Sequence, residues 1–462
     1  MKSRYKIKLP QDVVTGFRES LIDRAARLSG EGVTSTEPDV VRKSAETCGA
    51  AVAASLDQYW GDSETAPEGP IDVIDMFSGC GGMSAGFRAV NAFIPAFRLA
   101  LAVDIDEVAN RSYMANFGAM YVNEDVHELA TDKSKLERLL RSSGRRGGRP
   151  LILIGCAPCQ GFSSHRNAVG ESDQRNSLFV DFARIAANLK PDAVVVENVP
   201  ELLTTKYWMY VEEARRLLEA EGYFVHLGVH NMAEFGVPQE RYRALMLALK
   251  KPFRPPRGFL RRGEFRTVRQ AIGRLPRIGA GERHHDDPMH YTVGHKESTI
   301  RTIRAVPVDG GSRPPDVGPQ CLQRIHARQG KAAYEDVYGR LYWDRPAITI
   351  TAHARNPASG RFVHPEQDRG LSVREAATLQ GFPSGYLFEG TLDQRFRQIG
   401  NAVPPPFAAY LASHLLGEIL STVEHREAEN GGVTKPVGIS FSRLIPSLKA
   451  KNVRNQYSSD PN

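Results

Sequence analysis

Cysteine is scarce in this 462-residue chain. Only Cys48, Cys80, Cys156, Cys159 and Cys321 occur, an odd, sparse set that argues against a disulfide framework and for a reducing cytoplasm. No uninterrupted apolar run reaches the ~18 residues of a membrane span. The opening Met1-Lys2-Ser3-Arg4-Tyr5-Lys6 leads into no apolar signal segment. Neither a GxGxxG pattern nor a P-loop lysine accompanies the glycine-rich turn at Ser78–Gly82. That absence favours a nucleoside cofactor without phosphates over a dinucleotide or ATP. His284, His285, His290 and His295, with Asp286 and Asp287, match no usual zinc spacing, and no cysteine pair joins them, so no metal is expected. Acids are nearly missing from one stretch. Between Lys251 and Arg277 nine Lys/Arg face a single acid, Glu264. This segment accounts for the whole formal net charge of +7 and points to a polyanionic partner.

What is present is an alternation of apolar runs and helical patterns. The length suggests about three domains. Residues 1–70 form a helical extension, read as a packing appendage: a short strand at Tyr5–Leu9, a helix ending at Gly30, a second from about Asp39 to Tyr59, and a linker over Asp62–Pro70. Then Ile71–Phe77 reads as a strand entering the glycine-rich turn Ser78-Gly79-Cys80-Gly81-Gly82 and a helix. Strand, glycine turn and helix is the architecture of nucleotide-type cofactor sites. A second strand, Leu99–Val103, ends in Asp104-Ile105-Asp106, where an acid commonly holds a ribose. A third turn follows at Asn123-Glu124-Asp125.

Leu151–Ile154 is a further buried strand. It delivers Gly155-Cys156-Ala157-Pro158-Cys159-Gln160-Gly161 to the carboxyl edge of the sheet, where open α/β sheets bind ligands. Pro158 stiffens the turn, and Cys159 is a candidate nucleophile. The polar stretch Gly161–Asn176 has the composition of a loop that closes over a ligand. Leu178–Leu189 reads as a helix. Ala193–Val196 is another strand, ending in Glu197-Asn198-Val199-Pro200, so a carboxylate reaches the same edge as Cys159. Arg241 and Arg243 alternate along one face of the next strand, Ala244–Ala248.

Residues 253–370 lose this alternation and read as a second, smaller and irregular domain, with a strand at Arg345–Thr351. The chain returns to the first domain at 371–422, with a capped helix start at Ser372-Val373-Arg374-Glu375 and a last helix over about Pro406–Thr422. The tail, 423–462, is polar and expected to be poorly ordered.

Taken together, the motifs over about Ile71–Leu420 resemble the DNA cytosine-5 methyltransferases of the bacterial modification type. The resemblance implies a Rossmann-like, S-adenosylmethionine-dependent methyltransferase sheet with helices on both faces, the domain at 71–252 binding the cofactor and 253–370 recognising the target. It implies cofactor contacts at Asp75, Phe77, Ser78, Gly79, Gly81, Gly82, Asp104, Ile105, Asp125, Pro158, Leu178, Asn401 and Ala402. It makes Cys159 the nucleophile, Glu197 the holder of the cytosine, and Arg241 and Arg243 the basic pair beside it. Gln160, Ser163, Arg175 and Gln239 become DNA contacts. Three departures stand out: Ala157 replaces a usual proline, Cys156 occupies a position where glycine is common, and Asp104 replaces a glutamate.

The implied chemistry is coherent. Thiolate attack on cytosine C6 makes C5 enamine-like, provided the charge building on the ring is relieved by a carboxyl that keeps a proton in a dry pocket. The base must leave the duplex to be reached. The implied partner is double-stranded DNA, with a cognate restriction endonuclease acting on the same site. The implied protein is a cytoplasmic, nucleoid-associated monomer. A tRNA cytosine-5 methyltransferase of the same fold, and a catalytically silent DNA-binding regulator, are the competing readings. The ninety or so residues between Arg243 and Arg345 favour duplex DNA over tRNA.

Overall fold

The computed structural model describes residues 9–30, 39–64, 66–118, 121–145, 148–158, 177–329, 334–422 and 432–438. Seven strands form one sheet: β1 (Ile71–Met76), β2 (Phe97–Asp104), β3 (Tyr121–Asn123), β4 (Leu151–Gly155), β5 (Ala193–Asn198), β6 (Phe224–Asn231) and β7 (Tyr242–Leu249). Their order is β3-β2-β1-β4-β5-β7-β6. The pairings among β3, β2, β1, β4 and β5 are parallel, and β7 runs antiparallel to both β5 and β6.

The helices before and between the strands are α1 (Gln11–Ser29), α2 (Val40–Ala54), α3 (Leu56–Asp62), α4 (Gly82–Phe93), α5 (Glu107–Phe117), α6 (Val126–Thr131), α7 (Lys133–Ser142), α8 (Leu178–Leu189) and α9 (Trp208–Ala220). After the sheet come α10 (Val268–Ile272), α11 (Glu297–Arg304), α12 (Gln320–Gln329), α13 (Val373–Gln380), α14 (Leu392–Asn401) and α15 (Pro405–Leu420).

The strands are buried on both faces, and their side chains alternate between two cores. Ile152, Ile154, Ala193 and Val195 face a core shared with α1, α2, α4 and α15. Leu151, Leu153, Val194 and Val196 face the other, shared with α6, α8 and α9. Helices on both faces are thus as expected.

The N-terminal helices are part of the first core rather than attached to its surface. The fully buried α15 packs along α2, where Gly417 meets Ala45, and Gly49 lies against Tyr410. A side chain at Gly417 would collide, and one at Gly49 would be tightly crowded. Arg42 places Nε 2.7 Å from the Glu418 carboxylate and Nη1 2.7 Å from Asp39, with Arg42 and Glu418 buried. Arg18 donates to the carbonyl of Leu420. The expected second helix breaks at Ser55 into α2 and α3.

The described residues of 253–370 hold short helices and isolated bridges instead of a sheet. The expected strand at Arg345–Thr351 is not formed. Ala347 makes a lone bridge to Gln239, and the Ile350 amide donates to the Gln239 side chain. Buried arginines replace strand pairing here. Arg340 donates to the carbonyls of Val306, Ile303, His364 and Gln367. Arg369 grips Glu375 with two donors at 2.7 and 2.8 Å. Burial works against the Glu375 charge, but Arg369 outweighs it and holds the carboxyl at about 2.

The basic segment is partly self-neutralised. Arg254 pairs with Asp39, Arg269 with Asp344 and Arg277 with Glu366. Of the expected tail, 432–438 is described. Residues 432–438 lie along the open edge of β6, with Val433 N donating to Leu227 O at 2.8 Å and Val437 N to Leu203 O at 2.9 Å. The expected strand at Tyr5–Leu9 falls, but for Leu9, outside the described residues.

The Arg42–Glu418 pair gives a test of whether the extension is integral. Arg42→Met strands a buried carboxylate, which typically costs about 3 kcal/mol or more. The variant should unfold at clearly lower denaturant across the catalytic core. A change confined to local fraying of α1 and α2 would show instead that the extension is separable.

Candidate functional site

The parallel strands end at one level. Met76 is paired with Val103 on one side and Gly155 on the other, and Gly155 with Val196. The turns that follow β1, β2, β4 and β5 therefore share one rim of the sheet, which brings together most of the residues singled out from sequence.

The turn after β1 is built on left-handed backbone. Phe77, Gly79 and Gly81 have φ of 58°, 52° and 91°. Gly82 is forced by crowding, since a Cβ there would lie 2.3 Å from the Val403 carbonyl oxygen. That contact seats Asn401 and Ala402, at the end of α14, against the turn. A Cβ at Gly79 would meet nothing among the described residues within 4 Å, so this backbone faces open space there. Gly79 N donates to Asp104 Oδ2 and Asp106 N to Asp104 Oδ1, each at 2.8 Å. Burial raises the Asp104 carboxyl, and these two amide donors oppose the rise. Beside it Ile105 is 68% exposed, although apolar. Asp106 caps α5 and pairs with Arg397 of α14 at 2.8 Å. Asp125 caps α6 through the His127 amide. Pro158 and Leu178, the first residue of α8, are both half-buried.

Two residues of this region carry unequal hydrogen bonding. Ser78 is buried and its hydroxyl has no partner among the described residues. Asp75 lies deeper, accepting from Ser84 Oγ at 2.7 Å, which in turn accepts from Tyr113. It braces the turn from beneath. Burial pushes the Asp75 carboxyl up to about 7, against the pull of the Ser84 hydroxyl.

Glu197 ends β5 and is 2% exposed. Arg243, on the neighbouring β7, places Nε 3.0 Å from its Oε1. Cys156, on the other side after β4, donates its thiol to Oε2 at 2.9 Å. The adjacent Asn198 donates to the Ala157 carbonyl at 3.1 Å, fixing the turn that leads to Cys159. Cys159, Gln160, Ser163 and Arg175, with the expected closing loop 161–176, lie outside the described residues.

Two expected contacts are corrected. Gln239 is fully buried and cannot touch DNA: its amide donates to Leu379 O and Gln380 Oε1 and accepts from Ile350 N. Arg241 is 2% exposed, and its guanidinium donates to the carbonyls of Ile350, Gly400 and Ala402. It acts as a positioning residue for the turn beside Gly82. Both side chains face inward because β7 and the loop before it are covered by the segments 347–350 and 400–402. His290 bonds Ser372 and Pro276 O. Among the described residues, the one group close enough to share an ion is the half-buried His284 with the exposed His285 and Asp286. Sequence reasoning missed Ser84, Tyr113 and the Arg397–Asp106 link. No local signal marks any of them.

The sheet and its rim define a Rossmann-like methyltransferase. In agreement, 75% of the chain superposes on 99% of a solved prophage-encoded E. coli protein described as a DNA modification methyltransferase, with a TM-score of 0.54 and 26% identity. The profile of the C-5 cytosine-specific DNA methylases matches residues 71–417, and the chain belongs to that family. It is 32% identical to the Type II methylase M.HgiDII of Herpetosiphon aurantiacus over 354 residues, 74% of this chain and 94% of the relative. A Type II methyltransferase of Bacillus subtilis is 32% identical over 415 residues, 86% of this chain and 93% of the relative.

The Asp75 brace has a pH signature. An unfolded aspartate titrates near ~3.9, below the folded value, so the folded state holds the extra proton between the two. Stability from this group is present below about pH 4 and lost as pH rises towards 7. Asp75→Asn, which cannot titrate, should therefore gain on the parent protein as pH rises from 5 to 8 in denaturant titrations. A difference that does not move with pH would contradict the assignment.

Proposed function

We propose that this chain transfers a methyl group from S-adenosylmethionine to C5 of a flipped-out cytosine in a specific double-stranded DNA sequence. The observation that carries the reading is Glu197, buried at the rim, held by Arg243 and lying across from the turn that leads into Cys159. Family membership supplies the reaction class, and the rim supplies residues that fit each part.

The cofactor site fits a nucleoside. Asp104 retains lone pairs for a hydroxyl pair, and Ile105 offers an apolar surface; among the described residues the Ser78 hydroxyl lacks a partner and the Gly79 backbone faces open space. Asp125 and the turn at Asn401 and Ala402 complete the cradle. When bound there, S-adenosylmethionine supplies an electrophilic methyl group.

The protein's part is to make C5 nucleophilic. Cys159 adds to C6 as thiolate, while Glu197 shares a proton with ring N3 and so takes up the charge that develops. Arg243 keeps the carboxyl aimed and lies beside the base carbonyl. After transfer, loss of the C5 proton expels Cys159 and restores the ring. The base must be extruded for this to happen. Residues 253–370 form the target-recognition domain, and 71–252 with 371–422 the catalytic one. Ser163 and Arg175 contact backbone phosphates. The chain acts as a monomer in a bacterial cytoplasm at the nucleoid, as the modification partner of a restriction endonuclease with the same target.

The experiment is methyl transfer from labelled S-adenosylmethionine into duplex DNA and into tRNA, followed by bisulfite sequencing of the DNA. Label should enter DNA at a defined cytosine context. Cys159→Ser should lower transfer by more than about 100-fold with cofactor binding intact, as expected for a lost nucleophile. Label in tRNA alone would overturn the DNA reading, and a fully active Cys159→Ser variant would overturn the nucleophile.

A further inference from the structure

Glu197 has two oxygens and, among the described residues, one partner from each neighbouring strand: an ion pair at Oε1 and a hydrogen bond at Oε2. Arg243 reaches Oε1 from β7. Cys156 reaches Oε2 from the end of β4. The register explains the second contact. Gly155 pairs with Val196, so the next residue on each strand, Cys156 and Glu197, stand side by side as the strands leave the sheet. A glycine at 156 would supply no donor. The thiol thus occupies a place that the backbone alone would leave empty, 2.9 Å from the carboxylate.

The two donors differ in kind. Arg243 brings a fixed positive charge and a rigid fork. A thiol is a weak, neutral donor. A carboxyl meant to hold a base must be aimed before the base arrives, yet must release one oxygen when it does. A donor that orients it and then yields at small cost meets both needs.

We infer that Cys156 is a positioning residue for Glu197: its thiol aims the carboxylate in the base-free enzyme and gives way when the base is seated. The inference rests on the role proposed above for Glu197. Cys156 touches no reacting atom in this scheme and forms no covalent bond. Its effect passes wholly through the direction of one carboxylate.

The test is a double-mutant cycle in single-turnover methyl transfer to duplex DNA. Cys156→Ala should lower the transfer rate about five- to tenfold, the usual worth of one hydrogen bond. Half-saturation for S-adenosylmethionine should stay unchanged. Cys156→Ser, which keeps a donor, should restore the rate to within about twofold. In a Glu197→Gln background, Cys156→Ala should cost at most about twofold more, because the group it aims is gone. Equal loss in both backgrounds, or a serine variant as slow as the alanine one, would overturn the inference. The two failures are separable. If Glu197→Gln alone leaves transfer intact, the proposed role of Glu197 falls. If Glu197→Gln is slow but Cys156→Ala is not, only the role of Cys156 falls. Thermal unfolding and cofactor binding of each variant exclude simple misfolding as the source of a loss.

Discussion

A buried guanidinium carries donors that water cannot reach, and Arg241 directs its two terminal nitrogens to three carbonyls from two distant segments. Much of the rim depends on that demand. Ile350 belongs to the irregular 253–370 region, Gly400 to the end of α14 and Ala402 to the turn after it, so one side chain just before β7 ties both to the sheet. The turn at 402–403 is in turn what crowds Gly82. The geometry of the first glycine turn therefore traces back, through backbone carbonyls, to an arginine two residues from the one that holds Glu197.

The same device recurs where strands are lacking. Arg340, Arg361, Arg369 and Arg374 each join separate stretches of irregular chain by donating to carbonyls or carboxylates. A loop-rich region leaves many backbone acceptors without ladder partners, and each must be satisfied if it is buried. Arginine does this over a longer reach than any other side chain. The Arg and Gly content that reads in sequence as a nucleic-acid surface is thus partly internal bracing.

The sheet was legible because its strands are short apolar runs buried on both faces. β1, β2, β4, β5 and β7 all stand out in this way, and the strand-end acids Asp104 and Glu197 mark the rim. β6 did not stand out, because His226, Gly228, His230 and Asn231 interrupt its apolar pattern. The β-branched run Arg345–Thr351 misled in the opposite sense. Its backbone bonds go to the Gln239 side chain and the loop before β7, which no local pattern encodes. Gln239 and Arg241 show the limit of reading roles from polar residues alone. A motif states which residues are polar, but only packing decides whether they face a ligand or the interior. Cys156 is visible in the sequence as an unusual residue. Its partner emerges only once β4 and β5 are in register.

The strap at 432–438 runs parallel to β6 and finishes where Gly438 accepts from the Thr205 amide, just past the segment that follows Glu197 and Asn198. It closes a sheet edge that would otherwise template pairing with another chain. It also ties the segment that follows Glu197 and Asn198 to β6 through Leu203 and Thr205, so whatever loosens the strap loosens that segment with it.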